Sequence, residues 1–196
     1  MKSTLLRTVT LAGTFAALMF STASFAELAK KRQTPQGLYL TAAEAYDFVK
    51  KNREDTVFID VRTRGEVNFL GMPTIADANI PYMMTGGWTD WNAKKHTFKL
   101  VPNSNFLPSI EKVLAKKGLD KDGNIVLMCR SGSRSAKAAA LMDQAGYKNV
   151  YSITDGYEGG KAKKGPQKGQ RVVNGWKNAD LPWSYKLKKQ RMYWEL

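Results

Sequence analysis

The chain has 196 residues, of which 43% are hydrophobic and 24% charged, with seven prolines and a single cysteine. This composition is typical of a globular protein, and it excludes collagen-like, mucin-like and wholly disordered classes. The length corresponds to one ordinary domain with short appendages. One cysteine and one histidine exclude a disulfide framework and the common zinc-ligand sets, so we expect neither a metal nor another cofactor.

Residues 1–26 have the pattern of a secretory signal peptide. Lys2 and Arg7 form a short basic region, an apolar run covers residues 8–20, and Ser24 and Ala26 are the small residues before a cleavage site. A run of about 13 apolar residues is too short to span a bilayer, which needs roughly 20. We therefore expect cleavage after Ala26, a periplasmic location and no membrane anchor in the mature protein. An uncleaved anchor is the alternative.

The chain is strongly basic, with a formal net charge of +14, or +12 without residues 1–26. Residues 161–196 contain ten lysines and arginines but only two acidic residues, Asp180 and Glu195. Such an excess favours anionic partners, and an acidic protein that binds this basic segment is one hypothesis. A solvated basic face is the alternative. Because no recognition motif accompanies the charge, we do not expect nucleic acid to be a partner.

Strands alternate with helices from residue 38 to residue 183. A capping box, Thr41 with Glu44, opens a helix directly after a short predicted strand at residues 38–40. Further strands are predicted at residues 57–59, 78–80, 124–128 and 150–152, and further helices at residues 108–117 and 133–145. This alternation predicts an α/β domain with a largely parallel sheet.

The predicted site is the short loop that joins the strand at residues 124–128 to the next helix. Cys129 is its first residue, and sites in open α/β sheets lie beyond the carboxyl ends of the strands. The amides and dipole of the helix, with the guanidinium groups of Arg130 and Arg134, favour the nucleophilic thiolate. A buried, inert cysteine is disfavoured by such polar neighbours. The loop also contains Gly132, which lets it curl without a Cβ clash. Three hydroxyl donors lie near its rim: Ser131, Ser133 and Ser135.

These motifs resemble the rhodanese family of sulfurtransferases over residues 38–183. The similarity rests on the loop at residues 129–134, on Asp60-Val61-Arg62 followed by Glu66, on residues 71–81, on Asp155-Gly156 and on residues 174–182. The stretch that often begins Gly-His-Ile in the family reads Gly71-Met72-Pro73 here. The resemblance implies a rhodanese-like domain, with a central, mostly parallel sheet flanked by helices on both faces.

The resemblance also implies a reaction. In that family the cysteine thiolate takes the sulfane sulfur of a donor such as thiosulfate, releases sulfite, and passes the sulfur to a thiol or cyanide-like acceptor. Carried over, Cys129 is the nucleophile and persulfide carrier, the amides from Arg130 to Ser135 cradle the persulfide, and Arg130 and Arg134 bind the anionic donor. Asp60 and Arg62 support the site; a purely structural ion pair is the alternative.

The remaining segments are appendages of this domain. Residues 27–37 are a polar lead-in, residues 83–105 are an inserted loop, residues 161–171 are an exposed basic loop, and residues 184–196 are a basic, aromatic tail. We expect residues 172–194, which regain aromatics, to pack back onto the domain. Both loops are placed to border the site and select the substrate. We interpret Trp88, Trp91 and Trp183 as core or satellite residues and His96 as a surface residue.

Three other functions fit these motifs less well than sulfur transfer does. A cysteine-loop phosphatase or arsenate reductase places its arginine six positions after the cysteine, whereas Arg134 is five after Cys129, which leaves a smaller cradle. A catalytically silent rhodanese-like binding module is disfavoured because the cysteine and both arginines are retained. A dithiol oxidoreductase is excluded because the chain has no second cysteine.

Overall fold

The computed structural model describes residues 28–87 and 89–194. The predicted signal peptide lies outside the described residues, so its cleavage and the periplasmic location stay predictions. No helix in the described ranges is both long enough and apolar enough to cross a bilayer.

Thirteen strands, four α-helices and two 3₁₀ turns are described. The helices are α1 (Ala42–Lys51), α2 (Arg64–Leu70), α3 (Phe106–Lys116) and α4 (Ser133–Gln144), and the 3₁₀ turns are Lys30–Arg32 and Lys189–Arg191. The strands are β1 (Tyr39–Leu40), β2 (Thr56–Asp60), β3 (Met72–Pro73), β4 (Ala78–Asn79), β5 (Met83–Thr85), β6 (Trp91–Asn92), β7 (Thr97–Phe98), β8 (Leu100–Pro102), β9 (Asn124–Met128), β10 (Asn149–Ile153), β11 (Gly160–Lys161), β12 (Arg171–Val173) and β13 (Trp183–Ser184).

Five parallel strands form the central sheet, in the order β1-β10-β9-β2-β4. All five residues of β2 are buried, as are the last four of β9. Their apolar side chains point to both faces, as expected of central strands in a parallel sheet. The predicted α/β fold is confirmed. Because β9 is the middle strand, Cys129 emerges at the centre of the carboxyl edge of the sheet.

The helices cover both faces of this sheet. On one face, α3 and α4 pack against the β9 side chains of Ile125 and Leu127. On the other face, α1 and α2 pack against Phe58 and Val126, together with the fully buried Trp176. Successive strand residues alternate between the two cores, so a single five-residue strand stabilises both layers.

Helix α2 is an element that the sequence prediction lacked. It has only seven residues and one buried side chain, Val67, so its apolar periodicity is too short to detect. Its signal is instead a capping box: the Thr63 side chain accepts a hydrogen bond from the Glu66 amide, and the Glu66 carboxylate accepts one from the Thr63 amide. Helix α3 begins at Phe106, two residues before the predicted start at Pro108.

The segment predicted as an inserted loop is instead an antiparallel hairpin, which we call the insertion hairpin (residues 83–102). Strand β5 pairs with β8, and further out β6 pairs with β7, where the rings of Trp91 and Phe98 lie 5.3 Å apart. The predicted basic loop is likewise part of a hairpin, the basic hairpin (residues 160–173), in which β11 pairs with β12. Each has few buried apolar residues, so the sequence pattern gives little strand signal.

The C-terminal segment packs back onto the domain, as predicted. Strand β13 pairs with β3, after which Leu187 and Met192 pack against the core under α1 and α2. The next residue, Tyr193, is buried in the opposite core, where its hydroxyl donates to Asn103 Oδ1 at 3.0 Å. Residues 187–193 therefore cross the outer edge of the sheet beside β4.

Candidate active site

The sulfur of Cys129 lies directly beneath the loop that starts α4. The Gly132 amide donates a hydrogen bond to Sγ over 3.1 Å, and Ser135 Oγ is 3.6 Å from Sγ. The cysteine residue is only 1% exposed, so the surrounding residues cover the sulfur. An N–H group aimed at sulfur stabilises negative charge on it.

Two glycines allow this loop to pack tightly against residues 154–158. Gly132 has a φ of +90°, and a Cβ there would lie 2.1 Å from the carbonyl oxygen of Thr154. Gly156 has a φ of +67°, and its Cβ would lie 2.6 Å from the Cys129 oxygen. The amide of Tyr157 donates to that same Cys129 oxygen at 2.8 Å. Main-chain contacts therefore fix the conformation of the loop.

The first turn of α4 presents unpaired amides beside the sulfur. The first four N–H groups of any helix have no acceptor within the helix. For Ser133, Arg134 and Ser135, no hydrogen bond from the amide to another described residue is present. Such a turn is a favourable place for an anion. The Gly132 amide already contacts Sγ; the wider cradle from Arg130 to Ser135 stays a prediction.

The three loop serines are not equivalent. Ser131 and Ser133 are half-buried, and their predicted part as hydroxyl donors at the rim stays a prediction. Ser135 is fully buried, so its predicted place at the rim is wrong: the helix turns it inward, where its hydroxyl donates to the Gly132 oxygen at 3.2 Å. The Ser152 hydroxyl in turn donates to Ser135 Oγ at 2.9 Å. A short polar network therefore supports the sulfur from below.

Both arginines of the loop are bound to carboxylates. Arg130 Nε is paired with Glu158, and the two terminal nitrogens of Arg134 donate to the two Glu66 oxygens, each at 2.6 Å. Burial raises the pKa of Glu66, but the hydrogen bond and charge of Arg134 outweigh it and hold this pKa below its usual value. These partners offset much of the positive charge, and the binding of a donor by Arg130 and Arg134 stays a prediction.

Glu66→Gln is expected to lower the free energy of unfolding by about 1–3 kcal/mol at pH 7, because Arg134 loses a charged, bidentate partner. Since the pKa of Glu66 is lowered in the folded protein, its ionised form stabilises the fold above the unfolded pKa. That contribution disappears as the pH falls through the folded pKa. Urea unfolding at pH 7 and at pH 3 checks this. An equal difference between variant and wild type at both pH values would contradict it.

Asp60 and Arg62 form a fully buried ion pair behind the loop. Arg62 Nε donates to Asp60 Oδ1 at 2.9 Å, and Nη2 donates to the Gly71 oxygen at 2.8 Å. The guanidinium lies 3.7 Å from the ring centre of Tyr157, whose amide bonds to the Cys129 oxygen. The ion pair thus contacts Tyr157, which in turn is hydrogen-bonded to the loop. A supporting role of Asp60 and Arg62 in catalysis stays a prediction.

Asp155, in the predicted closing motif, joins three segments. Its carboxylate accepts hydrogen bonds from the amides of Ala42 at 2.9 Å and Gly175 at 2.8 Å. Burial raises the pKa of Asp155, opposed by these amides. Asp155 thus anchors the start of α1 and the turn before Trp176 to the segment that follows β10.

Arg171 is a site residue that sequence reasoning missed. It is the first residue of β12 in the basic hairpin, where its Nη1 donates to the Gly159 oxygen at 2.7 Å. Burial, followed by the nearby charge of Arg130, lowers the pKa of Arg171, and the carboxylate of Glu158 opposes this shift. Its Nε is buried without a partner among the described residues. In the sequence it ends a low-complexity basic run, which gives no signal.

A cleft of about 950 Å³ separates the loop from the insertion hairpin. Arg130, Arg134 and Lys137 lie on one wall, and the insertion hairpin forms the other. The insertion hairpin therefore lies across this cleft from Arg130 and Arg134; its predicted part in selecting the substrate stays a prediction.

The aromatic residues and the histidine of the chain differ in their surroundings. Trp91 is 47% exposed, so of the two interpretations as a core or a satellite residue only the second remains; its ring contacts that of Phe98 on the insertion hairpin. Trp183 is half-buried against Tyr157, and His96 is exposed at the hairpin turn, both as predicted. Trp88 lies outside the described residues.

The fold is thus a five-stranded parallel sheet with a cysteine loop at the carboxyl end of its central strand, β9. The Rhodanese-like domain family model matches residues 96–163. An uncharacterised protein of Rickettsia rickettsii is 32% identical over 147 residues, 74% of this chain and 96% of that protein. The chain belongs to the rhodanese-like family.

Two further proteins are similar to this chain. Thiosulfate sulfurtransferase 18 of Arabidopsis thaliana is 31% identical over 100 residues, which are 51% of this chain and 62% of that protein. A crystal structure of an M. tuberculosis protein aligns with a TM-score of 0.57 and 24% identity, covering 76% of this chain and 97% of that one. The second similarity concerns the fold alone.

Proposed function

We propose that the chain is a sulfurtransferase that carries sulfane sulfur as a persulfide on Cys129, with thiosulfate as a donor. The observation that carries this proposal is the Gly132 N–H aimed at Sγ over 3.1 Å, at the start of a helix whose first amides are unpaired. This arrangement suits one anionic sulfur with a second sulfur bonded to it. The similarity to a thiosulfate sulfurtransferase supports the choice of donor.

The chemistry requires only the residues of the loop. The Cys129 thiolate attacks the outer sulfur of thiosulfate, a bond forms between the two sulfurs, and the bond to the sulfite group breaks. Sulfite leaves with the electron pair, so atoms and charge balance without an oxidant. The new terminal sulfur then bears the negative charge, and the proposal assigns the unpaired amides of Ser133 and Arg134 to donate to it. An acceptor thiolate removes that sulfur and regenerates the Cys129 thiolate.

Incubation of the purified protein with thiosulfate is expected to release sulfite and to add one sulfur atom to the intact mass. Cys129→Ser is expected to lose both, because an alcohol does not ionise near neutral pH. Sulfite is measured colorimetrically in the sample used for mass spectrometry. Circular dichroism of the variant controls for folding. Sulfite release by Cys129→Ser would contradict the proposal.

Two outcomes of this experiment would favour other functions. Hydrolysis of a phosphate ester, lost in Cys129→Ser, would indicate a cysteine-loop phosphatase. A folded wild-type protein that neither takes up sulfur nor hydrolyses the ester would indicate a rhodanese-like binding module.

We further propose that the protein is exported and processed after Ala26. This proposal is supported by the basic, apolar and small-residue order of residues 1–26. When the full sequence is expressed in a Gram-negative host, the osmotic-shock fraction is expected to contain a protein whose N-terminal sequence begins at Glu27. An unprocessed chain in the cytoplasmic or membrane fraction would contradict the proposal.

A further inference from the structure

Two hairpins flank the Cys129 loop, one on each side. In the sheet order, β9 carries the loop in the middle; β10 on one side leads into the basic hairpin, and β4 on the other side leads into the insertion hairpin. The insertion hairpin lines the cleft together with Arg130 and Arg134. The Glu158 amide donates to the Arg130 oxygen at 3.0 Å, and Arg171 of the basic hairpin donates to the oxygen of the next residue, Gly159, at 2.7 Å. The base of the basic hairpin therefore lies beside the Cys129 loop.

The charged side chains of the two hairpins are almost all positive. The insertion hairpin has three lysines and one acid, Asp90, and the segment at residues 161–171 has four lysines, one arginine and no acid. Within the described ranges, none of these cations forms a salt bridge. This contrasts with Arg130 and Arg134, whose charges are paired. The site is thus framed by cations that remain available to an anionic partner: Lys94, Lys95, Lys99, Lys161, Lys163, Lys164, Lys168 and Arg171.

The dimensions of this region exceed those of a small donor. The cleft of about 950 Å³ is at the upper end of the range for pockets that enclose drug-sized molecules, whereas thiosulfate has five heavy atoms. Phe98 and Leu100 on its wall are 54% and 39% exposed. Lys163, Lys164 and Lys168 of the basic hairpin do not line the cleft. A ligand that contacts both hairpins must be a macromolecule with acidic and apolar groups.

The burial of Cys129 limits the shape of that macromolecule. At 1% exposure, the cysteine is out of reach of a rigid, convex protein surface, so the reacting thiol must lie on an extended, flexible segment.

We propose that the physiological acceptor is a second protein that presents a cysteine within an acidic, flexible segment, held between the insertion hairpin and the basic hairpin. This rests on the proposed function and names the partner of the same site. The partner thiolate attacks the terminal sulfur of the Cys129 persulfide, and the bond to Cys129 breaks. The electron pair returns to the Cys129 sulfur, so the partner leaves as a persulfide without any change in net oxidation state.

The test uses two synthetic hexapeptides with one central cysteine, flanked by Asp and Glu in one and by Asn and Gln in the other. Protein loaded from thiosulfate and then desalted is mixed with each peptide, and peptide persulfide is followed by mass spectrometry. The acidic peptide is expected to react at least about tenfold faster at low ionic strength. This advantage is expected to shrink as salt screens the charges. Equal rates for the two peptides would overturn the proposal.

Charge reversal on the insertion hairpin tests whether its lysines cause the faster reaction of the acidic peptide. Lys95→Glu with Lys99→Glu is expected to remove most of the advantage of the acidic peptide, while uptake of sulfur from thiosulfate continues. Lys50→Glu with Lys51→Glu is the matched control, because these exposed lysines end α1 at the opposite edge of the sheet. The proposal is overturned if the control pair reduces the advantage as much as the hairpin pair.

A binding measurement separates this proposal from the proposed function. Fluorescein-labelled versions of both peptides are titrated with Cys129→Ser protein, and anisotropy is recorded. Preferential binding of the acidic peptide supports the docking surface even if the wild type takes up no sulfur, a result that contradicts the proposed function alone. Sulfur uptake by the wild type with equal binding of both peptides overturns the docking surface alone.

Discussion

Gly132→Ala is expected to destabilise the protein by at least about 3 kcal/mol and to abolish sulfur uptake. The added Cβ would lie 2.1 Å from the Thr154 oxygen, and the φ of +90° is unfavourable for alanine. The loop can relieve this overlap only by moving away from residues 154–158. That movement withdraws the Gly132 amide from the sulfur, so stability and activity fall together.

Gly118→Ala is the matched control for this substitution. Gly118 also has a positive φ, +67°, but no atom lies within 4 Å of the position of its Cβ. Gly118→Ala is therefore expected to cost only the conformational energy of an alanine at positive φ, about 1–2 kcal/mol. Its sulfur uptake is expected to be unchanged. Urea midpoints and sulfite release are measured for both variants. If Gly132→Ala costs no more than Gly118→Ala, the close packing described for the loop is contradicted.

Asp60→Asn is expected to cost about 3–5 kcal/mol of unfolding free energy, because it leaves the Arg62 guanidinium buried without its counter-charge. Both side chains are fully buried, and asparagine keeps the shape but not the charge. Combining it with Arg62→Met is expected to recover part of the loss, since no unpaired charge then remains. Urea unfolding of the single and double variants, with the m-value checked, measures this.

Glu158→Gln provides the comparison for a more exposed pair. Its partner Arg130 is 44% exposed, so removing this charge is expected to cost about 1 kcal/mol or less. Asp60→Asn and Glu158→Gln then differ chiefly in the burial of the cation left behind. A loss below about 1 kcal/mol for Asp60→Asn would mean that water reaches Arg62 once its partner is gone.

The elements that the sequence predicts well are those with dense apolar or capping signals. The core strands β2 and β9 are continuous apolar runs, and α1 carries a capping box at Thr41. The sequence indicates the cysteine loop because a strand, a polar loop and an alanine-rich helix follow one another without interruption. These signals are local, and they place Cys129 at the carboxyl edge of the sheet.

The parts that were missed depend on contacts between distant residues. The sequence near Arg134 gives no sign that its charge is paired with Glu66, 68 positions away. Ser135 is buried because of the helical phase of α4, which the loop sequence does not fix. Arg171 reaches the site only through the pairing of β11 with β12, and that pairing is invisible in a segment of lysine, glycine and glutamine.

The crossing of residues 187–193 over the β4 side of the sheet has a consequence for the order of folding. Every strand of the sheet is synthesised before this segment, so the β4 edge of the nascent domain stays uncovered until residues 187–193 emerge. Unpaired main-chain groups at such an edge can associate with another chain. Removing Tyr193 and the residues after it is therefore expected to increase aggregation as well as to lower stability. A fusion placed there would interfere with the packing of residues 187–193 over the β4 edge.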